Sequence, residues 1–230
     1  MIISLTGFMG CGKSSVGRRL SELLCCPFMD LDDVIVESAG RSIPEIFATE
    51  GEKAFRQMEL EALKQIISPS VMSQCAPLAP SHFVGPSPYA GVRKCQFRTS
   101  VSSPEDNMHR RNNTTPSLVL ALGGGAVMTK ECAEIVKEQT CCVYLKASIE
   151  TLMEHLSGEA DGRPMLHGKA ASQEGDTSLR GAERRGNPMQ ERIAELMAQR
   201  SETYEKTAHI IVDTDGKSIE AIASEILSLI

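Results

Sequence analysis

The feature that most constrains the fold is the segment GFMGCGKS at residues 7–14, which fits the pattern G-x-x-x-x-G-K-[ST]. It follows a short β-branched apolar run at 2–6, typical of a buried strand, and precedes apolar residues at helical spacing from Val16 onward. Glycines let successive backbone N–H groups turn inward around an anion, and the following helix adds the positive end of its dipole. Strand, glycine loop and helix together predict a phosphate-binding loop and a bound nucleoside triphosphate.

Two side chains of this loop have separate chemical tasks. Lys13 can neutralise the β- and γ-phosphates, and the Ser14 hydroxyl can bind Mg²⁺. A glycine-rich turn that fits the pattern by chance is the alternative. The strand before the loop and the helix after it favour the phosphate-binding interpretation.

Composition and charge argue against several other classes of protein. The net charge of −6, from 24 basic and 30 acidic residues, gives no basic footprint for nucleic acid or anionic lipid. No apolar run is long enough to span a bilayer, and no secretory signal precedes the first strand. The eight cysteines include two adjacent pairs and no C-x-x-C, which argues against a zinc site or a disulfide framework. We expect a reduced, cytoplasmic monomer that binds neither nucleic acid nor a membrane.

Strand and helix patterns alternate along the chain. Such alternation predicts right-handed crossovers and an α/β fold with a five-stranded parallel sheet flanked by helices. The predicted strands are 2–6, 27–30, 118–122, 141–145 and 209–213. Beyond the helix that follows the glycine loop, the predicted helices are 34–38, 43–49, 52–67, 129–138, 148–155, 190–206 and 218–229.

Two segments depart from this alternation within what we predict to be a single domain, 1–230. Residues 68–116 hold seven of the eleven prolines and carry more basic than acidic residues, so we predict a disordered insertion. A docking loop or a substrate cover is the alternative for this segment. Residues 157–188 are rich in glycine and charged residues, a composition that predicts a lid. The helices predicted at 31–67 are candidates for binding a substrate.

Three groups of candidate residues follow predicted strands, and ligands of open α/β sheets bind beyond those strand ends. They are the glycine loop, the pair Asp30 and Asp32, and the triple glycine 123–125. One aspartate can hold a magnesium-bound water while the other accepts a proton from a substrate hydroxyl. We predict that Asp33 caps the next helix. The triple glycine allows backbone N–H groups to approach a ligand, and the three groups should converge.

The order of motifs resembles the shikimate kinase family of small P-loop kinases, which have a nucleoside-monophosphate-kinase-like fold with a lid. The resemblance covers most of 1–67 and 117–230. It rests on GFMGCGKSSVGRRL, on FMDLDDVIVESAGRSIPEIFATEGEKAFRQMELEAL, on LALGGGAV, and on VYLKAS, GRPML and RIAELMAQRSETY. It implies ATP-dependent phosphorylation of the 3-hydroxyl of shikimate, in the chorismate pathway to aromatic amino acids.

The resemblance also implies roles for individual residues, beginning with those that bind ATP. Ser14 would bind Mg²⁺, Asp30 would lie near the water shell of the metal, and Lys13 would act on the phosphates. Arg163, in the lid motif, would reach the ATP phosphates and stabilise the transferred charge. The implied ATP-binding residues are Gly10, Cys11, Gly12, Lys13, Ser14, Ser15 and Arg163.

On the acceptor side, Asp32 would bind the shikimate hydroxyls and serve as the base, or only orient the hydroxyl. Arg56 and Arg200 would hold the shikimate carboxylate, since arginine forks suit carboxylates. Gly124, between its two neighbouring glycines, would contact a hydroxyl through its backbone. None of the five histidines is assigned a catalytic role.

The chain departs from the family pattern in two places. Segment 68–116 replaces a short connection, and the stretch from Lys169 to Arg185 makes the lid long. Two other functions stay open: another small-molecule P-loop kinase, such as a gluconate or nucleotide kinase, and a regulatory nucleotide-binding module whose insertion docks a partner. The arginines paired with Asp32 favour an acceptor with a carboxylate and hydroxyls.

Overall fold

The computed structural model describes residues 1–68, 116–156 and 188–230. All five strands of this part of the chain lie in one parallel sheet, in the order β2-β3-β1-β4-β5. The predicted α/β fold is therefore confirmed, with each strand within one or two residues of its expected position. The strands are β1 Ile2–Thr6, β2 Phe28–Asp30, β3 Leu118–Ala121, β4 Cys141–Lys146 and β5 Ile210–Asp213.

Helices cover both faces of the sheet, because alternate strand residues point to opposite faces. Leu118 and Leu120 belong to a core that includes α2, α4 and α5, whereas Ile3 and Leu5 belong to a core that includes α1, α6 and α8. The helix α7 contributes to both cores. The helices are α1 Lys13–Leu24, α2 Leu31–Ala39, α3 Ile43–Thr49, α4 Gly51–Ile67, α5 Lys130–Gln139, α6 Ile149–Leu156, α7 Pro188–Thr207 and α8 Ile219–Leu229, with a short 3-10 helix at Ala126–Met128.

The start of α2 differs from the expectation. The helix begins directly after β2 at Leu31, so Asp30 is its N-cap and accepts a hydrogen bond from the Asp32 amide at 3.1 Å. The prediction that Asp33 caps this helix is wrong. Asp33 lies within the first turn, where an exposed carboxylate still interacts favourably with the helix dipole, and it pairs loosely with Arg18 at 4.0 Å.

The strand order explains why distant parts of the chain meet. Since β1 has β3 as a direct neighbour and β2 lies beyond β3, the carboxyl ends of these three strands are adjacent. The glycine loop, Asp30 and the triple glycine follow these three ends. The expected insertion, most of the expected lid and Arg163 lie outside the described residues, and the single-domain assignment stays a prediction. Within the described ranges, no helix has the length and apolarity to cross a membrane.

Candidate active site

The glycine loop has the backbone that its sequence indicates. Gly7, Gly10 and Gly12 have φ values of 142°, 82° and 87°, a region that L side chains rarely adopt. Helix α1 begins immediately afterwards at Lys13, whose ammonium donates hydrogen bonds to the carbonyls of Gly7 at 2.9 Å and Phe8 at 2.8 Å. The loop thus places a cation and the N-terminus of a helix beside each other, which suits polyphosphate.

A pair of oxygens lies where α1 begins and β2 ends. The Ser14 hydroxyl donates to Asp30 Oδ2 at 2.6 Å, and Asp30 Oδ1 accepts from the Asp32 amide at 3.1 Å. A hydroxyl and a carboxylate at this distance are the oxygen ligands that Mg²⁺ prefers. In the described part of the chain, no group of three His, Cys, Asp or Glu side chains could hold a metal ion.

The triple glycine after β3 lets neighbouring groups approach closely. A Cβ on Gly123 would lie 2.7 Å from Asp32 Oδ1 and 2.8 Å from Glu59 Oε1, distances that real Cβ atoms do not show. A Cβ on Gly124 would lie 3.2 Å from the Met9 amide nitrogen of the phosphate-binding loop. This segment therefore brings the two carboxylates and the phosphate-binding loop to one place.

Arg56 is fixed by acidic residues of its own helix. Its Nη1 donates to Glu59 Oε2 at 2.6 Å and its Nη2 to Glu52 Oε1 at 3.0 Å, and the side chain is only 17% exposed. A Cβ on Gly125 would lie 2.5 Å from Arg56 Nη1, so the guanidinium rests against this glycine. Such a restrained guanidinium suits a planar carboxylate.

Glu59 is a residue of the site that the sequence interpretation missed. Burial raises its pKa to about 7, against the lowering effect of Arg56, and the negative charges of Asp32 and Glu52 raise it further. A signal did exist in the sequence. Phe55, Glu59 and Leu63 are spaced by four and lie on the apolar face of α4, where a carboxylate is costly unless it is paired.

Arg200 and Tyr204 approach the triple glycine from α7. Arg200 is 6% exposed, its Nη1 lies 3.5 Å from the Gly124 carbonyl oxygen, and its guanidinium carbon is 5.9 Å from the Phe8 ring centroid. The Tyr204 hydroxyl donates to the same carbonyl. Sequence interpretation selected Arg200 but not Tyr204.

His155 contacts the phosphate-binding loop, although no role was predicted for it from the sequence. Its Nδ1 lies 2.7 Å from the Gly10 carbonyl oxygen, and the adjacent Leu156 is packed so closely that a Cβ on Gly10 would meet it at 2.9 Å. The end of α6 therefore holds the tip of the loop. Nothing in the periodicity of α6 indicates this contact, since the partners are 145 residues apart.

Most of these groups line one cavity of about 1040 Å³. Its wall also includes Lys217, Ile219 and Ile222 from the region after β5. The cavity is therefore lined by the phosphate-binding loop, by both arginines, and by the carboxylates of Asp32 and Glu59. The candidate residues that line it are Gly10, Cys11, Gly12, Lys13, Ser14, Ser15, Asp32, Arg56, Gly124 and Arg200.

The chain matches a family model described as shikimate kinase over residues 9–76 and 96–230. A shikimate kinase of Dictyoglomus turgidum is 30% identical over 227 residues, which are 98% of this chain and 94% of the relative. A shikimate kinase of Thermus thermophilus is 32% identical over 225 residues, covering 98% of this chain and 87% of the relative.

Solved structures give the same result. The shikimate kinase of Acinetobacter baumannii in complex with shikimate is 26% identical, with a TM-score of 0.68, and the match covers 99% of this chain and 91% of that one. A shikimate kinase structure from Bacteroides thetaiotaomicron has a TM-score of 0.65 at 21% identity, which supports the fold alone.

Proposed function

The chain belongs to the shikimate kinase family, and we propose that it transfers the γ-phosphoryl group of ATP to the 3-hydroxyl of shikimate. The products are shikimate 3-phosphate and ADP, in a step of the chorismate pathway to aromatic amino acids. One observation carries the proposal. A phosphate-binding loop, two largely buried arginines and a carboxylate line a single cavity, which matches a triphosphate donor and an acceptor that carries a carboxylate and hydroxyls.

On the donor side, backbone N–H groups from Gly10 to Ser15 bind the ATP phosphates and Lys13 neutralises their charge. The ammonium of Lys13 already lies over the loop, held by two of its carbonyls, so little ordering is needed. On the motif GRPML alone, we assign Arg163 to the ATP phosphates, where it would stabilise the transferred charge.

The nucleotide-associated metal is proposed to be Mg²⁺. The Ser14 hydroxyl and the nearby Asp30 carboxylate fit a hard cation with oxygen ligands. Ser14 would bind the ion directly and Asp30 would hold a water of its shell, with phosphate oxygens completing the coordination. When bound, the metal neutralises charge on the β- and γ-phosphates.

On the acceptor side, Arg56 and Arg200 hold the shikimate carboxylate and Asp32 accepts the proton of the 3-hydroxyl. The hydroxyl oxygen then bonds to the γ-phosphorus as the bond to ADP breaks. The backbone at Gly124 contacts a second hydroxyl. A buried ion pair with Glu59 restrains Arg56 before any substrate arrives, so the site is organised in advance and binding costs less ordering entropy.

The first test is ADP release by the purified protein with ATP and Mg²⁺, with and without shikimate. Gluconate and nucleoside monophosphates serve as parallel acceptors, and a Lys13→Met variant controls for contaminating ATPases. Strong stimulation by shikimate alone supports the proposal. Stimulation by another acceptor, or ATP hydrolysis that shikimate does not change, contradicts it.

Two further assignments are part of the proposal. We place the protein in the cytoplasm, supported by the free thiols of Cys11, Cys25, Cys132, Cys141 and Cys142. We also propose that the insertion is dispensable for turnover, so deletion of residues 70–115 should leave kcat unchanged. A loss of turnover in a folded deletion variant would instead indicate a substrate cover. The monomeric state stays a prediction.

A further inference from the structure

We propose that Tyr204 is a positioning residue of the acceptor site, which holds the Gly124 peptide and keeps Arg200 available for the substrate carboxylate. This inference rests on the proposed function and deepens it. Gly124 and Arg200 line the cavity, whereas Tyr204 is fully buried behind them. Tyr204 therefore acts through its two neighbours.

The first part of this role concerns the backbone. The Tyr204 hydroxyl donates a hydrogen bond to the Gly124 carbonyl. In a planar trans peptide the carbonyl and the following N–H point in opposite directions, so a fixed carbonyl also fixes the N–H of Gly125. Glycine has no Cβ to restrict its backbone, so an external hydrogen bond has to supply the restraint. Tyr204 supplies it from a rigid helix.

The second part concerns Arg200. Arg200 lies one helical turn before Tyr204, and its Nη1 is 3.5 Å from the same Gly124 carbonyl oxygen. With the phenol removed, the partly buried carbonyl would lose its closer donor, and an acceptor shielded from water and left without a partner is costly. The guanidinium would then move toward this carbonyl and away from a bound carboxylate.

The phenol is suited to a constant role as a donor. Burial raises the pKa of Tyr204 far above its ordinary value, even though the neighbouring Arg200 guanidinium lowers it. The hydroxyl therefore keeps its proton at neutral and mildly alkaline pH. The effect of removing the Tyr204 hydroxyl on the KM for shikimate should therefore not depend on pH over the assay range of about 6 to 9.

Tyr144 provides a matched control next to Tyr204. The two rings stack with centroids 5.2 Å apart and an interplanar angle of 29°, and Tyr144 is 1% exposed. Among the described residues, the Tyr144 hydroxyl has no hydrogen-bond partner. Tyr144→Phe thus removes a hydroxyl from a neighbouring buried ring without breaking a hydrogen bond.

The experiment is steady-state kinetics of the full chain carrying Tyr204→Phe or Tyr144→Phe. We expect Tyr204→Phe to raise the KM for shikimate about tenfold, the upper size expected for one hydrogen bond, and to leave the KM for ATP within about twofold. Tyr144→Phe should leave both KM values within about twofold. An unchanged shikimate KM in Tyr204→Phe, or an equal rise in both KM values, overturns the inference.

A second measurement does not depend on turnover. The ¹⁵N–¹H resonance of Gly125, whose peptide includes the Gly124 carbonyl, should shift in Tyr204→Phe and stay in place in Tyr144→Phe. Thermal unfolding of both variants checks that they are folded. A wild-type protein that shikimate does not stimulate overturns the proposed function together with this inference, whereas a responsive wild type with an unaltered Tyr204→Phe variant overturns this inference alone.

Discussion

The two sides of the cavity are built in different ways. The phosphate-binding loop is a continuous segment, residues 7–14, and its lysine is held by carbonyls of the same segment. The acceptor side collects Asp32, Arg56 and Arg200 from three helices, around glycines that follow β3. The loop thus depends on local backbone geometry. The acceptor side depends on charged groups packed against one another, both attractive and repulsive, so changes there should spread to neighbouring groups and respond to pH.

The largest effect is expected from Asp32→Asn, which removes the proposed base and leaves the loop intact. The loss of a proton acceptor should lower kcat by roughly 10²–10⁴-fold, with little change in the KM for ATP. Steady-state kinetics and a shikimate titration by calorimetry would measure this. Asp33→Asn is the matched control, because Asp33 is the next residue and its side chain is 77% exposed. Near-normal turnover in Asp32→Asn would rule out both the base and the orienting role.

The second prediction tests the buried charges of the acceptor side through Glu59→Gln. Because burial raises the pKa of Glu59 in the folded protein to about 7, the folded state binds a proton there more tightly than the unfolded state does. Its contribution to stability is present below the unfolded pKa of about 4.3 and is lost as the pH rises through about 7. The free energy of unfolding of the wild type, relative to Glu59→Gln, should fall by on the order of 3 kcal/mol across this window.

Urea unfolding of both proteins at several pH values from 4.5 to 8 would measure this difference. Glu52→Gln is the control, since Glu52 also binds Arg56 but its side chain is 57% exposed. The control should follow the pH dependence of the wild type. A constant difference between wild type and Glu59→Gln over the whole range would show that Glu59 does not titrate there.

The sequence predicts the phosphate-binding loop better than the acceptor side. The phosphate-binding loop, the strands and Asp32 could be predicted, because local periodicity and a contiguous motif contain the information. Arg56 and Arg200 could be selected from a family resemblance but not from periodicity. Glu59 and Tyr204 were missed because their roles come from contacts across 64 to 80 residues of sequence, with Gly123 and Gly124. Asp33 was misassigned because α2 begins three residues earlier than predicted, at Leu31, which moves the cap to Asp30.

A smaller effect is expected from Gly125→Ala, which disturbs the acceptor side without removing a functional group. The new Cβ would lie 2.5 Å from Arg56 Nη1, while the φ of −118° at this position is ordinary for alanine. The fold should survive and the guanidinium should move, raising the KM for shikimate about tenfold. In an Arg56→Ala background the same substitution should have almost no further effect. Additive effects of the two substitutions would mean that Gly125 acts independently of Arg56.

The smallest effect is expected on the donor side, from His155→Ala. A carbonyl only accepts hydrogen bonds, so His155 Nδ1 donates to the Gly10 carbonyl at 2.7 Å, and its loss should loosen only the tip of the phosphate-binding loop. One exposed hydrogen bond corresponds to about a threefold rise in the KM for ATP, with the KM for shikimate unchanged. His155→Asn is the matched variant, since its amide N–H can occupy the position of Nδ1 and should restore much of the ATP affinity. Equal rises in both KM values would show that the two sides of the cavity are not independent. The structural difference between a continuous loop and an acceptor side formed by three helices would then have no functional consequence.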